Sequence, residues 1–370
     1  MRKWMDDFRD DSQVDLMSEG PDTSSEVRFE RRGRLGVITL DRPRAINALT
    51  HDMVVEVSAA LDVWAEDDAV QTVLVQGEGD RGLCAGGDIV SVYRNIQVGN
   101  FEEPALFWHD EYRMNAKIAR YPKPYVAMMD GIVLGGGIGI SAHGSHRVVT
   151  ERSRLGLPET GIGFIPDVGS TWLLSHAPGE LGTYLALTAD PVRAEVALVA
   201  GLADFFVPST RLPQLVTLLE SNPPDEAISE LAESAPVTEV ASERELVTDR
   251  EWIDEAFSAD TVAEILGRLR GLGTEAATHT ANRIVQNSPL ALTVALESLR
   301  RARRMSTLEE ALDQEYRVST HSTRTRDFVE GVRAQVIDKD RSPRWDPPSL
   351  AEVEQTDVEA YFAPVETPVA

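Results

Sequence analysis

Residues 131–139, Gly131-Ile132-Val133-Leu134-Gly135-Gly136-Gly137-Ile138-Gly139, follow an apolar run at 125–129 that reads as a buried strand. Consecutive glycines let a ligand approach the backbone closely. A second glycine segment, Leu83-Cys84-Ala85-Gly86-Gly87-Asp88-Ile89, follows a predicted strand at 72–76 and opens a predicted helix. Free N–H groups at such a junction meet anions. Alone, this piece is equally a tight turn with Asp88 as helix cap. Two such loops together can form one oxyanion hole, contributing on the order of a few kcal/mol to transition-state stabilisation.

The third segment is Leu157-Pro158-Glu159-Thr160-Gly161-Ile162-Gly163-Phe164-Ile165-Pro166-Asp167-Val168-Gly169. It places two carboxylates eight residues apart in an otherwise apolar, Gly/Pro-bent loop. Desolvation raises a carboxyl pKa toward working pH, and a neighbouring carboxylate drives the two values apart, which suits general acid–base work. Two turn caps are the purely structural alternative. A rival pattern, Gly137-Ile138-Gly139-Ile140-Ser141-Ala142, has the G-x-G-x-x-A spacing of a dinucleotide fold, with Glu159 as ribose partner. That fingerprint belongs in the turn directly after a strand, whereas six residues, 130–135, separate Met129 from Gly136.

Other reactive side chains have less context. His143 and His146 are three apart without a third metal ligand at suitable spacing, and read as structural. The chain has no G-x-S-x-G elbow, and its single cysteine, Cys84, has no paired base in sequence, so a serine or cysteine acyl-enzyme is disfavoured. One cysteine also forms no intrachain disulfide, which fits the reducing cytoplasm, and no metal site is expected.

The chain has 370 residues, 42% of them hydrophobic and 6% aromatic, so it is expected to fold with a sizeable core. A formal net charge of -25 argues against nucleic acid or an anionic membrane as partner. An anionic ligand would need local basic groups, and arginines 28, 31, 32, 34, 42 and 44 form the densest cluster in the first half. Asp130 and five glycines interrupt the apolar stretch 125–142, which reads as core rather than membrane span.

A hairpin at 27–30 and 35–40 is expected to open the fold. A helix capped by Thr50 follows, with Val54, Val57, Leu61 and Trp64 on one face, and then the strand at 72–76. Repeated strand–helix turns make this an α/β core over 26–220. Residues 221–243, rich in Pro, Ser and Glu, read as a linker, residues 244–362 as a helical C-terminal region, and 1–25 and 363–370 as tails.

Four motifs in order, Asp41-Arg42-Pro43-Arg44-Ala45-Ile46-Asn47-Ala48-Leu49, then 84–89, then Gly135–Gly137, then Pro158-Glu159, resemble the crotonase (enoyl-CoA hydratase/isomerase) superfamily. The resemblance implies a crotonase-like stacked β-β-α spiral core and an acyl-CoA thioester as substrate, with no cofactor beyond the CoA it carries. It implies that the N–H groups of Ala85 and Gly136 form the oxyanion hole. Arg44, Ala45, Gly86, Gly87, Asp88 and Arg94 would then line the CoA-ester site. Homo-oligomers are common in that superfamily.

True hydratases resemble one another in using two glutamates, and the first would fall here on Gly139. The second matches Glu159, while the position that is often glycine in hydratases is Asp167. That swap resembles the 3-hydroxyisobutyryl-CoA hydrolase subfamily, as do Gln314-Glu315-Tyr316-Arg317-Val318-Ser319 and the run from Asp327 to Trp345. The subfamily often carries a glutamate on the helix after Gly-Gly-Asp-Ile, and Arg94 stands at the matching place. The implied activity is thioester hydrolysis in valine breakdown, with Glu159 attacking the carbonyl or activating water and Asp167 meeting the 3-hydroxyl or assisting proton transfer. A lyase or isomerase using Glu159 alone and a non-catalytic acyl-CoA-binding protein are the alternatives.

Overall fold

The computed structural model describes residues 25–239, 241–248 and 250–365, so residues 1–24 and 366–370 of the expected tails lie outside the described residues. Strands β1 (Val27–Arg32) and β2 (Leu35–Leu40) form the antiparallel hairpin. Helix α1 (His51–Glu66) follows, with the Thr50 side chain accepting from the Met53 N–H at 3.3 Å, a cap that contributes about 1 kcal/mol.

Three strand–strand–helix turns come next. The first is β3 (Thr72–Gly77), β4 (Gly82–Cys84), α2 (Ile89–Gln97) and α3 (Glu102–Ala119). The second is β5 (Tyr125–Met129), β6 (Ile132–Leu134) and α4 (Gly136–Ser141), and the third is β7 (His146–Val149), β8 (Arg154–Gly156) and α5 (Ser170–Ser175). After α6 (Leu181–Thr188) and α7 (Ala194–Val199), the short β9 (Phe205–Phe206) completes a six-stranded sheet in the order β1-β2-β3-β5-β7-β9. The short strands form a second, parallel sheet, β4-β6-β8.

This nesting positions the site. Cys84 pairs with Val133, and Leu134 pairs with Gly156, so β4, β6 and β8 end at one level. Loops leaving the carboxyl ends of parallel strands converge, and here they are the three segments singled out by their glycines and carboxylates. Alternation along the large sheet is strict. In β5, Tyr125, Ala127 and Met129 enter the main core, while Val126 and Met128 face a second cluster on the other side.

That second cluster corrects the expected linker. Residues 221–243 contain a helix, α9 (Pro224–Leu231), which follows α8 (Leu212–Leu219). Pro224 occupies the first turn, where its missing N–H costs nothing, and Ala227, Ile228 and Leu231 are buried beside Leu215 and Leu219. Proline here starts a helix rather than marking a loop.

Seven more helices follow among the described residues: α10 (Ala241–Thr248), α11 (Glu251–Phe257), α12 (Val262–Leu272), α13 (Glu275–Ile284), α14 (Pro289–Ala302), α15 (Leu308–Ser322) and α16 (Arg326–Val332). A last one, α17, spans Gln355–Ala360. They are not a separate lobe, because one hydrophobic cluster runs from Val27 to Phe362. Helix α15 packs along α3, and α16 packs on α2 and on the 3-10 turn Glu159–Ile162. None of the helices among the described residues is long and apolar enough to cross a membrane.

The contact of α16 with that turn is backbone on backbone. A methyl on Gly163 would lie 2.3 Å from the Asp327 carbonyl oxygen, and one on Gly331 would lie 2.3 Å from the Ile162 carbonyl. Gly331→Ala is therefore expected to lower stability by about 1–3 kcal/mol through overpacking, read as a shift in the urea midpoint at unchanged m-value.

Candidate active site

Glu159 opens the 3-10 turn after β8 and is only 6% exposed. Its Oε2 is buried without a hydrogen-bond partner, and its Oε1 lies 2.9 Å from where a Gly135 side chain would begin. Burial first, then the charge of Asp167, pushes its pKa well above the ordinary carboxylate range. Asp167 is 5% exposed, and its Oδ2 accepts a 2.6 Å hydrogen bond from the Tyr112 hydroxyl. Burial raises its pKa to about 7, although the Tyr112 bond pulls the other way.

A third carboxyl joins them. Glu111, from α3, is 2% exposed, and its Oε1 is buried without a partner, 2.6 Å from where a Gly136 side chain would begin. Burial and the Asp167 charge raise its pKa strongly. Sequence reading overlooked it. The available signal was helical spacing: Phe107, Glu111, Met114 and Ile118 repeat along the buried face of α3, putting a carboxyl where a hydrophobe belongs. Arg94, which matches an acidic position of the subfamily, is exposed on α2.

The N–H groups around the glycine loops are accounted for one by one. Ala85 N–H donates to the Ile46 carbonyl at 2.9 Å, Gly86 N–H to Cys84 Sγ at 3.4 Å, and Asp88 N–H to the Leu49 carbonyl at 2.8 Å. Of the four N–H groups from Ala85 to Asp88, that of Gly87 alone has no acceptor among the described residues. This corrects the assignment of Ala85, whose N–H is consumed by a backbone carbonyl from the preceding turn. Gly136, first residue of α4, has a free N–H because the first turn of a helix has no internal acceptor. A methyl on Gly136 would sit 3.1 Å from the Gly87 nitrogen and 2.6 Å from Glu111 Oε1, so the two free donors are neighbours close to the buried carboxyls.

The remaining expected residues frame this space. The Asp88 carboxyl caps α2, accepting from Ser91 N–H at 3.2 Å and from Arg42 at 3.1 Å. Gly86 adopts φ 114°, which turns the chain between those contacts. Arg44 and Ala45 are exposed on a 3-10 turn, Pro43–Ala45, which Asn47 ties to Gly82. Cys84 is wholly buried and its thiol is pushed up to about 12, which removes it as a nucleophile. Among the described residues, no group of three or more His, Cys, Asp or Glu side chains is arranged to hold a metal ion. Two N–H donors opposite buried carboxyls can bind a carbonyl oxygen as it gains charge while a carboxylate acts at the carbon.

Comparison with known proteins agrees in outline. The family model described as enoyl-CoA hydratase/isomerase matches residues 35–362. A curated relative, the mitochondrial 3-hydroxyisobutyryl-CoA hydrolase of Gallus gallus, is 38% identical over 349 residues, covering 93% of this chain and 90% of its own length. Two solved structures are similar over almost all of the chain. One, a carnitinyl-CoA dehydratase from Mycobacterium thermoresistibile, is 47% identical with TM-score 0.88, covering 94% of this chain and 99% of its own. The other, an enoyl-CoA hydratase from Rhodobacter sphaeroides, is 40% identical with TM-score 0.84, covering 92% and 98%.

The raised pKa values carry a stability signature. Above its ordinary 3.8 the unfolded chain has released the Asp167 proton, while the folded chain keeps it until about 7. Stability from this group is thus fully present below 3.8 and lost as pH rises through 7. Urea unfolding is expected to show this loss, on the order of a few kcal/mol, between pH 4 and 7, and Asp167→Asn to reduce it while Glu111, Glu159 and Glu315 keep the remainder.

Proposed function

Because the chain belongs to the enoyl-CoA hydratase/isomerase family, we propose that it hydrolyses the thioester of a short 3-hydroxyacyl-CoA, 3-hydroxyisobutyryl-CoA or 3-hydroxypropionyl-CoA, releasing the free acid and CoA. The observation that carries this reading is the grouping of two buried, mutually interacting carboxyls, Glu159 and Asp167, with Glu159 against Gly135, the residue before Gly136, whose free N–H neighbours that of Gly87. The name of the Gallus gallus relative supports the same reaction.

In this proposal the thioester oxygen sits between the Gly87 and Gly136 N–H groups, which polarise the carbonyl and hold the charge that develops on it. The Glu159 carboxylate then attacks the carbonyl carbon to give CoA thiolate and a mixed anhydride, which water cleaves to the free acid and Glu159, or it takes a proton from water that attacks the carbonyl and expels CoA thiolate. Both routes need Glu159 ionised. Asp167 accepts from the substrate's 3-hydroxyl, and a buried carboxyl left unpaired discriminates against esters lacking that group. Glu111, whose pKa burial and the Asp167 charge raise, lines the Gly136 side. Arg44 and Ala45, on the exposed turn, contact CoA at the rim. No cofactor is used, CoA entering as part of the substrate.

The names of the two solved relatives favour a second reading, water addition or removal across an acyl double bond. That chemistry in hydratases resembles a two-glutamate mechanism whose first member would stand at Gly139. Here a side chain at Gly139 would meet Val168 Cβ at 2.7 Å and Asn115 Nδ2 at 2.9 Å. The corner is filled as well as empty of a carboxylate, which supports hydrolysis over hydration. The metabolic role we propose is valine breakdown, and the place of action a reducing compartment, the cytoplasm; the Gallus gallus relative is named as mitochondrial.

Thiol release from 3-hydroxyisobutyryl-CoA, 3-hydroxypropionyl-CoA and crotonyl-CoA tests the reaction directly. Glu159→Gln is expected to lower kcat/KM by about 10³ while CoA-ester binding persists; retained turnover, or release of no thiol by the wild type, would overturn the assignment. Gly136→Ala, which crowds Glu111 and the Gly87 nitrogen, is expected to lower kcat by about 10²–10³. Since the ionised form of Glu159 acts, kcat/KM should rise with pH through a midpoint well above the ordinary 4.5.

A further inference from the structure

The tripeptide Asp167-Val168-Gly169 is gripped by three different parts of the chain. Val168 lies in the left-handed region at φ 57°, which β-branched residues avoid, so the loop holds this shape only because its surroundings impose it. Asp167 is bonded by Tyr112 of α3, whose hydroxyl also meets Ser319 Oγ of α15 at 2.7 Å.

The Val168 carbonyl is bonded at 2.7 Å by His143 Nε2, from the turn after α4. A carbonyl only accepts, so Nε2 carries the ring proton. Burial lowers the His143 pKa to about 4, keeping the ring neutral at physiological pH. Gly169 fits against the same ring, since a methyl there would lie 2.6 Å from Nε2.

Gly169 itself is bonded by Glu315 of α15, which is fully buried. Glu315 Oε2 accepts from the Gly169 N–H at 2.6 Å, and Oε1 accepts from the Thr171 N–H at 2.9 Å and the Thr171 hydroxyl at 2.5 Å. Neither His143 nor Glu315 has a part in the reaction proposed above, yet each spends its hydrogen bonds on the backbone flanking Asp167.

We propose that His143 and Glu315 are positioning residues that clamp Val168 in its left-handed conformation, aim the Asp167 carboxyl at the acyl hydroxyl, and thereby set the preference for hydroxylated over plain acyl-CoA esters. This rests on the reading of Asp167 as the partner of that hydroxyl. The physical basis is that a hydrogen bond discriminates only when its acceptor is held close to the productive geometry. Releasing either side of the clamp lets Val168 relax toward a β or α conformation and swings the attached carboxyl.

The test is the ratio of kcat/KM for 3-hydroxyisobutyryl-CoA to that for isobutyryl-CoA, measured by thiol release. Both substrates see the same enzyme sample, so partial misfolding of a variant cancels. Asp167→Asn is expected to collapse the ratio. His143→Leu and Glu315→Gln are each expected to lower it about tenfold or more. His143→Gln, which keeps an N–H able to reach the Val168 carbonyl, should stay within about threefold of the wild type, and Thr171→Val, which removes one bond to Glu315, should give a smaller fall. If Asp167→Asn collapses the ratio while His143→Leu and Glu315→Gln preserve it, the clamp is refuted and both residues only pack. An unchanged ratio in Asp167→Asn would instead overturn the hydroxyl reading of Asp167 and, with it, this proposal.

Discussion

Glu111, Glu159, Asp167 and Glu315 lie close together where water is excluded, and the removal of water makes each of them hard to ionise. Such a grouping is costly unless hydrogen bonds or protons offset it, and the surrounding structure divides the four accordingly. Asp167 and Glu315 are hydrogen-bonded by Tyr112, Gly169 and Thr171. Glu111 and Glu159 each keep one buried oxygen unpartnered. The satisfied pair shapes the loop, and the unsatisfied pair lies against Gly135 and Gly136, at the start of α4. Unpaired buried polar atoms gather where a ligand is meant to supply the missing partner.

The carboxyls can be grouped in this way because β4, β6 and β8 end together, delivering Gly87, Gly136 and Glu159 to one place from three separate turns of the spiral. The helices then close over it from the side opposite the sheets. Helix α3 contributes Glu111 and Tyr112, α15 contributes Glu315 and Ser319, and α16 lies on the turn that carries Glu159.

How much of this was legible in the sequence follows from how local each determinant is. The loop carrying Glu159 and Asp167 announces itself, because carboxylates set among Gly, Pro and apolar residues have few structural explanations. Glu111 did not, since a single acid in a helix is ordinary unless its neighbours are read as a buried face. The choice between Ala85 and Gly87 was beyond reach: it depends on the Ile46 carbonyl, which the fold, and not the local sequence, brings to Ala85. His143 was read as structural for want of metal ligands, and its contact with the Val168 carbonyl, 25 residues away, is equally non-local. Residues 221–243 failed for the opposite reason, because composition outweighed the spacing of Ala227, Ile228 and Leu231 that makes them a buried helix.

The docking of α15 and α16 onto the earlier part of the chain also fixes an order of events during synthesis. A ribosome makes the spiral first, and domains tend to fold as they emerge. A nascent chain that has reached residue 307 already contains Glu159, Asp167 and both glycine donors, yet lacks Glu315 and the helix that seats Gly331 against Ile162. The reactive groups are therefore among the earlier residues made, while the parts that hold them in register come late. Until those arrive, the loop carrying Asp167 lacks the bonds that Glu315 makes to Gly169 and Thr171, so the grip on that loop is completed only by the later part of the chain.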